Sequence, residues 1–211
     1  MKILHTADLH IGKLVNGFSM LSDQKYILEE ILKITDREQP DVFIIAGDVY
    51  DKSVPSAEAV ALFDDFLCRL AKKNLHIFII SGNHDSAERI AFGGRLMEQS
   101  GVHLSPVYRK GIRPVVLADE HGPVNFYLLP FIKPVHVRMQ FPEEEIRTYA
   151  DAVRTAVNGL LIDCAERNVL VTHQFIAGSE RSDSEEMSVG GTDSIPSSVF
   201  DNFDYVALGH I

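Results

Sequence analysis

The first hundred residues alternate between continuous apolar runs and amphipathic segments, and this alternation restricts the fold more than any other feature. The runs "KILHTA", "DVFIIAGD" and "LHIFIIS" have the composition of strands buried on both faces. The segments that follow them, residues 22–38, 56–73 and 86–99, carry apolar side chains at helical spacing, with Ser22 as a candidate N-cap for the first. This β-α-β-α-β-α order predicts a largely parallel sheet with helices packed on it.

The second half of the chain has a different pattern. Between residues 107 and 129, the short strand-like pieces "VYRK", "RPVVLA" and "VNFYLLP" are separated by glycine and proline, which predicts an antiparallel meander. A helix-like stretch at residues 142–166 and two more strand-like runs, "NVLVTH" and "FDYVALGH", follow. We see no internal repeat and no low-complexity linker. The simplest expectation is one α/β domain covering residues 1–211, in which the meander extends a second sheet.

Composition restricts the class of protein. Hydrophobic residues make up 45% and charged residues 24% of the 211 residues, which is typical of a globular protein with a large core. We expect no membrane segment and no signal peptide, and we expect Cys68 and Cys164 to be buried free thiols of a cytoplasmic protein. The net charge of −10 is unusual for a nucleic-acid binder, so phosphates must be held locally by metal ions, by a small basic patch or by a partner.

Five of the predicted strands end in residues that can bind a metal ion. In open α/β sheets, the carboxyl ends of the strands form the crevice where ligands bind. We therefore expect one cluster containing Asp8, His10, Asp48, Asn83, His173 and His210. Its oxygen and imidazole ligands, with no thiolate among them, favour Mn, Fe or Zn at a catalytic centre.

The number of candidate ligands indicates how many ions they hold. Six ligands are too many for one catalytic ion with an open position, but they fit two ions roughly 3.5–4 Å apart that share a carboxylate. Asp48 is the natural bridge, since it lies between the other ligands in strand order. A two-metal centre is suited to phosphoester hydrolysis, because the ions activate a water and stabilise charge on both reacting oxygens.

The ordered motifs D-x-H, G-D-x-x-D, G-N-H-D, T-H and G-H resemble those of the calcineurin-like metallophosphoesterase superfamily. The segments "HTADLHIGK", "AGDVYDKSVPS", "SGNHDS", "THQFIAG" and "SVGGTDSI" are similar to its DNA double-strand-break repair nucleases over essentially the whole chain. This resemblance implies a four-layer α/β/β/α sandwich and a Mn-dependent exonuclease and endonuclease that cuts DNA ends and hairpins. It also implies a partner ATPase and a homodimer, formed through helices near residues 56–99, within a heterotetramer.

The resemblance also implies a role for each site residue. Asp8 and His10 would hold the first ion, Asp48 would bridge, and Asn83, His173 and His210 would hold the second. His84 would contact the phosphate and pass a proton instead of binding metal, and Asp85 would orient the ring of His84.

In the family, the last motif continues as G-H-x-H, and its second histidine would stand one position beyond Ile211. We therefore expect this chain to be the nuclease core of a longer protein, ending inside its last metal motif. A cap domain and a partner-binding segment would follow. In the chain as given, the first ion would be bound more weakly and turnover would be poor or absent.

Two alternatives remain open at this point. The chain could be another member of the superfamily that acts on a small phosphodiester or a phosphoprotein, because the metal ligands would be the same. The phosphatase branch reads G-D-x-V-D-R-G and G-N-H-E, whereas this chain has "GDVYDK" and "GNHDS", which disfavours a phosphatase. The chain could also be a non-catalytic scaffold for an ATPase, and protection against thermal unfolding by metal ions would distinguish that possibility.

Overall fold

The structure is a computed structural model that describes residues 1–178 and 194–210. The strands of this part of the chain are β1 (Ile3–Thr6), β2 (Leu14–Val15), β3 (Phe18–Ser19), β4 (Val42–Ala46), β5 (His76–Ile80), β6 (Val102–Ser105), β7 (Val115–Asp119), β8 (Gly122–Leu129), β9 (Arg167–His173) and β10 (Tyr205–Gly209). Its α-helices are α1 (Leu21–Glu38), α2 (Ala57–Ala71), α3 (Ala87–Ile90), α4 (Gly94–Met97), α5 (Pro134–Arg138) and α6 (Tyr149–Asn158). None of these described helices is both long enough and apolar enough to cross a bilayer.

Two four-stranded sheets form the centre of the molecule. The first has the order β1-β4-β5-β6 and is parallel throughout. The second has the order β10-β9-β8-β7 and is parallel except for the antiparallel β7–β8 pair. A two-residue hairpin, β2–β3, stands apart from both sheets and was not predicted.

The period-two alternation of side chains along β4 divides the core into layers. Phe43 and Ile45 pack against α1 and α2, and the ring of Phe43 meets that of Phe66 at 6.1 Å between centroids. Val42 and Ile44 point the other way, into the layer between the two sheets. Because both faces of β4 are covered, its apolar run is continuous, as the sequence indicated.

The other two layers complete the sandwich. Between the sheets, the rings of Phe78 and Phe126 lie 4.8 Å apart. On the outer face of the second sheet, Val153 of α6 packs in a cluster with Tyr127 and Leu170. Helices therefore cover the outside of each sheet, and the predicted α/β/β/α fold class is confirmed.

Three predicted helix boundaries are wrong. The helix predicted at residues 86–99 breaks into α3, α4 and a 3-10 turn, because Gly93 adopts φ +77°, which a continuous right-handed helix does not allow. The helix predicted at residues 142–166 is limited to α6, which begins after Thr148, whose hydroxyl accepts a hydrogen bond from the Asp151 amide. Ser22 is not an N-cap, since α1 begins at Leu21 and its N-cap residue is Met20.

Two other predictions are also wrong. Residues 107–110 form a loop and not the predicted strand. The edge strand of the first sheet is β6, which pairs with β5 in a contact that local sequence pattern does not encode. Both cysteines are free, as expected, but Cys68 and Cys164 are exposed and not buried. Cys68 lies on the solvent side of α2, and Cys164 lies in the loop after α6, where the sequence had indicated a continuing helix.

Candidate metal centre

The carboxyl ends of β1, β4 and β5 in one sheet and of β9 and β10 in the other meet at one end of the sandwich. The structure brings all six predicted ligands together there. Five approaches connect them: Asp8 Oδ1 to His10 Nε2 at 4.0 Å, Asp8 Oδ2 to the His210 amide at 3.2 Å, Asp48 Oδ2 to His10 Nε2 at 3.8 Å, His173 Nε2 to Asp48 Oδ2 at 3.3 Å, and His173 Nε2 to Asn83 Oδ1 at 3.0 Å.

Asp48 lies at the centre of this cluster and is fully buried. Its Oδ1 accepts a hydrogen bond from the amide of His84, at 2.9 Å. Its Oδ2 faces three imidazole nitrogens, the Nε2 atoms of His173, His10 and His84, at 3.3, 3.8 and 4.0 Å. Burial opposes ionisation of Asp48, but His173, His84 and the amide together outweigh it, so the pKa of Asp48 is lowered.

The surroundings of Asp48 fit a divalent cation. Two groups of side chains have ligand atoms close enough to share an ion, His10–Asp48–His84 and Asp48–His173–His210, and Asp48 belongs to both. Within the described part of the chain, Oδ2 of Asp48 is buried and accepts no hydrogen bond of ordinary geometry. A buried carboxylate oxygen without such a bond is costly, and a bound cation would remove that cost.

The tautomer of His173 is set by the backbone. Its Nδ1 lies 2.7 Å from the carbonyl oxygen of Ala46, which can only accept, so Nδ1 carries the proton and donates it. The other nitrogen, Nε2, therefore faces Asp48 and Asn83. Burial lowers the pKa of His173, but the carboxylates of Asp48 and Asp8 and the Ala46 carbonyl raise it by more, so a metal ion would compete with a proton for Nε2.

Four of the six candidate ligands have left-handed backbone conformations. The φ angles are 55° at Asp8, 42° at His10, 48° at Asp48 and 69° at His210. Such angles are uncommon outside glycine and cost about 1–3 kcal/mol each. Strained residues of this kind are concentrated at functional sites, where the surrounding structure maintains them.

Two glycines allow the strand ends to approach one another. A Cβ atom on Gly82 would overlap with the backbone nitrogen and Oδ1 of Asp48. A Cβ atom on Gly209 would overlap with the carbonyl oxygen of Ala46 and with Nδ1 of His173. Any larger residue at either position would therefore displace a candidate ligand.

The ring of His84 is held by a group that the sequence did not indicate. Its Nδ1 lies 3.0 Å from the main-chain carbonyl oxygen of Asp51 and donates to it. Its Nε2 faces the cluster, and the ring packs edge-on against His10 with centroids 4.8 Å apart. His84 is thus placed to donate or accept a proton beside the candidate ligands.

Asp85 does not orient the ring of His84, and that prediction is corrected. Its carboxylate accepts hydrogen bonds from the amides of Gly82, Tyr50 and Val49 at 2.9, 3.0 and 3.1 Å. Burial raises the pKa of Asp85, with a contribution from Asp48, although the amides favour its ionised form. Asp85 therefore joins the loop after β4 to the loop after β5.

Sequence reasoning also missed Gln24 of α1. Its Oε1 accepts from the amide of Gly12 at 2.9 Å, and its Nε2 donates to the carbonyls of His10 and Leu9 at 2.7 and 3.2 Å. Gln24 thereby holds the loop that carries His10. A glutamine on a helix gives no signal of this role, and neither do the main-chain carbonyls of Ala46 and Asp51, since every residue has one.

The chain is similar to a known protein in sequence and, weakly, to another in structure. A family 1 b-glucosidase from Thermotoga maritima aligns over 88% of this chain and 50% of its own, with 10% identity and a TM-score of 0.37, which is too weak to support any argument. The SbcD component of the SbcCD nuclease from Staphylococcus epidermidis is 38% identical over 215 residues, which cover 100% of this chain and 56% of that protein. The chain thus spans a little over half the length of this curated relative.

The family comparison agrees with the geometry of the cluster. The family described as "Calcineurin-like phosphoesterase" matches residues 1–211. The match includes every strand end that carries a candidate ligand. The chain therefore belongs to the calcineurin-like phosphoesterase family.

Proposed function

We propose that this chain is the catalytic core of a metal-dependent DNA nuclease, an exonuclease and endonuclease that hydrolyses phosphodiester bonds at DNA ends and hairpins during repair and recombination. The observation that carries the proposal is the buried Asp48 carboxylate, which belongs to two groups of side chains whose ligand atoms lie close enough to share an ion. Family membership supports phosphoester hydrolysis, and the similarity to a protein named as part of a nuclease supports DNA as the substrate.

We assign the cofactor as two divalent ions, with Mn²⁺ as the metal. Asp8, His10 and Asp48 would hold the first ion, and Asp48, Asn83, His173 and His210 the second. Oxygen and imidazole ligands without a thiolate suit Mn²⁺. Two such ions supply an activated water and neutralise charge on the phosphodiester when they are bound.

The chain's own residues contribute positioning and proton transfer. His84 directs Nε2 toward the cluster, and the Asp51 carbonyl that accepts from Nδ1 fixes the orientation of the ring. A protonated His84 can contact a phosphate oxygen and donate its proton to the leaving oxygen. Asp85 links the loop after β4 to the loop after β5. This link fixes the position of His84 relative to Asp48.

Partner subunits would supply the positive charge for DNA binding that this acidic chain lacks. This chain has 20 lysines and arginines against 30 aspartates and glutamates, so its net charge of −10 lacks the basic excess that usually holds DNA. We therefore propose that it works in the cytoplasm with an SbcC-type ATPase, as a homodimer within a heterotetramer. The exposed apolar side chains of Phe92 and Leu96, in the region of α3 and α4, support a protein contact on that face.

The test is Mn²⁺-dependent cleavage of an end-labelled DNA duplex and a DNA hairpin, with bis-p-nitrophenyl phosphate assayed in parallel, by the chain as given and by the chain with any native sequence that follows Ile211. We expect DNA cleavage that requires Mn²⁺ and that His84→Ala reduces by roughly 100-fold or more, the range of general acid–base catalysis. Hydrolysis of the small diester without DNA cleavage would show that the substrate is wrong. Absence of both activities, with no thermal stabilisation by Mn²⁺, would indicate a non-catalytic scaffold.

A further inference from the structure

A cavity of about 790 Å³ lies where the open edges of the two sheets face each other. Leu104 of β6, Val115 of β7 and Leu128 of β8 contribute apolar side chains to its lining. The loop between β6 and β7 and the segment around α4 complete the wall. The volume is typical of sites for small organic molecules, roughly 300–1,000 Å³.

The charged residues on this lining are mostly basic. Arg95, Arg109, Lys110 and Arg113 line the cavity, together with one carboxylate, that of Glu98. This local excess of positive charge is found in a chain whose net charge is −10. The lining of the cavity therefore carries positive charge, whereas the protein as a whole is negatively charged, and it would attract an anion.

Among the described residues, no carboxylate forms an ion pair with the arginines of the cavity. In residues 1–178 and 194–210, Arg69 and Arg167 both pair with carboxylates. Within the same described residues, neither Arg95 nor Arg109 nor Arg113 forms an ion pair with a carboxylate. Their guanidinium groups, which come from two separate segments of the chain, are available to a ligand. Phosphate oxygens suit them well, because a guanidinium binds such oxygens in a bidentate manner.

From these features we infer that the cavity binds a nucleoside phosphate, with its phosphates on the arginines and its base and sugar on the apolar strand residues. The imidazole of His103, which stacks on His76 with ring centroids 5.7 Å apart, also lines the cavity and is an aromatic group that a base can contact. Burial and the neighbouring His76 lower the pKa of His103, which keeps the ring neutral near pH 7. Inorganic phosphate alone would leave the apolar part of the lining without a partner.

The cavity is separate from the metal centre but lies at the same end of the first sheet. The hydroxyl of Ser81 donates to the carbonyl oxygen of Pro106 at 2.7 Å, and Pro106 lines the cavity. Ser81 stands just before Gly82 and Asn83, while Pro106 follows the neighbouring strand, roughly 4.8 Å away across the sheet. The nucleoside phosphate could therefore be a free nucleotide or the terminal nucleotide of a nucleic-acid strand. The inference itself does not rest on the proposed nuclease activity.

Calorimetric titration in EDTA, which removes any contribution of the metal centre, tests this inference. The probes are ADP, a 5′-phosphorylated tetrathymidylate and inorganic phosphate. The cavity variant combines Arg109→Gln with Arg113→Gln, two exposed positions whose change does not disturb the core. The control combines Arg147→Gln with Arg154→Gln, which removes the same charge from exposed positions near α6.

We expect ADP or the oligonucleotide to bind more tightly than inorganic phosphate. The cavity variant should weaken that binding by roughly tenfold or more, and the control should not. Binding of ADP identifies a free nucleotide as the source, and binding of the oligonucleotide alone identifies a strand terminus. The inference is overturned if neither probe binds, if the cavity variant binds as the unmodified protein does, or if inorganic phosphate binds as tightly as the nucleotides.

Discussion

The Nδ1 atom of His173 donates a hydrogen bond to the main-chain oxygen of Ala46 across 2.7 Å, and this contact joins the two sheets at the candidate metal centre. Ala46 is the last residue of β4 in the first sheet, and His173 is the last residue of β9 in the second. The bond leaves Nε2 of His173 directed at Asp48, 3.3 Å away. Sheet packing therefore determines which nitrogen of this histidine is available to a metal ion.

Removing the imidazole of His173 should weaken metal binding. For His173→Ala we expect at least a tenfold loss of Mn²⁺ affinity, since changes to residues that only support metal ligands already cost 10–100-fold. The measurement is the rise in melting temperature with Mn²⁺ concentration. His121→Ala, at an exposed histidine, is the control and should retain the full rise. An unchanged Mn²⁺ response in His173→Ala would remove this residue from the proposed ligand set.

Adding one methyl group at Gly82 should disturb Asp48. The Cβ atom of Gly82→Ala would overlap with Asp48, so we expect a stability loss of about 1–3 kcal/mol together with loss of the Mn²⁺ response. Gly17→Ala is the matched control, because Gly17 has φ +84° but nothing within 4 Å of its Cβ position. It should be destabilised by its backbone angle alone, about 1–2 kcal/mol, and keep the Mn²⁺ response. Equal responses in both variants would show that close packing at Gly82 does not matter.

Replacing Asp85 distinguishes its structural contacts from a role in acid–base chemistry. In Asp85→Asn, an NH₂ group would face a backbone N–H, so we expect a stability loss of about 1–3 kcal/mol. Phosphodiester hydrolysis should decrease in parallel, with the shape of its pH profile unchanged, because the ring of His84 bonds to Asp51. Urea unfolding and pH–rate measurements check the two effects. A shifted pH profile at unchanged stability would restore a role for Asp85 in orienting His84.

Asp119 should make stability depend on pH. Its carboxylate pairs with Arg167 and the N-terminal ammonium at 2.6 and 2.7 Å, and these contacts hold the pKa of Asp119 far below its usual range. A group with a lowered folded-state pKa stabilises the fold above its unfolded pKa, about 3.9, and loses that contribution progressively as pH falls below it.

Urea midpoints measured between pH 7 and pH 3 therefore test the contribution of Asp119. Asp119→Asn should lower the midpoint at pH 7, and its difference from the unmodified protein should shrink below about pH 4. Asp201→Asn, which removes one negative charge at an exposed position, is the control for the change in net charge. A difference for Asp119→Asn that stays constant down to pH 3 would contradict the ion-pair explanation.

Predictions from local sequence pattern were wrong where a backbone conformation or long-range contacts determined the structure. Gly93 interrupts the helical pattern of residues 86–99 with a left-handed conformation. The edge strand β6 forms because it pairs with β5, and the short run "VHLS" by itself does not predict a strand. Asp85 follows His84 in sequence, yet its carboxylate turns to three backbone amides, because these N–H groups converge on it where two loops meet.

The amino-acid sequence by itself determined most of the buried strands, an α/β domain with a second sheet and the residue types available at each strand end. These follow from apolar runs and from polar residues placed directly after them, which are local properties of the chain, whereas the four-layer sandwich was implied by the family resemblance. Only the tertiary structure decided which groups hold those residues: the Ala46 carbonyl for His173, the Asp51 carbonyl for His84 and Gln24 for the loop of His10. The reason is physical, since main-chain carbonyls are chemically alike in every residue and acquire a specific role only when folding brings one within about 3 Å of a particular side chain.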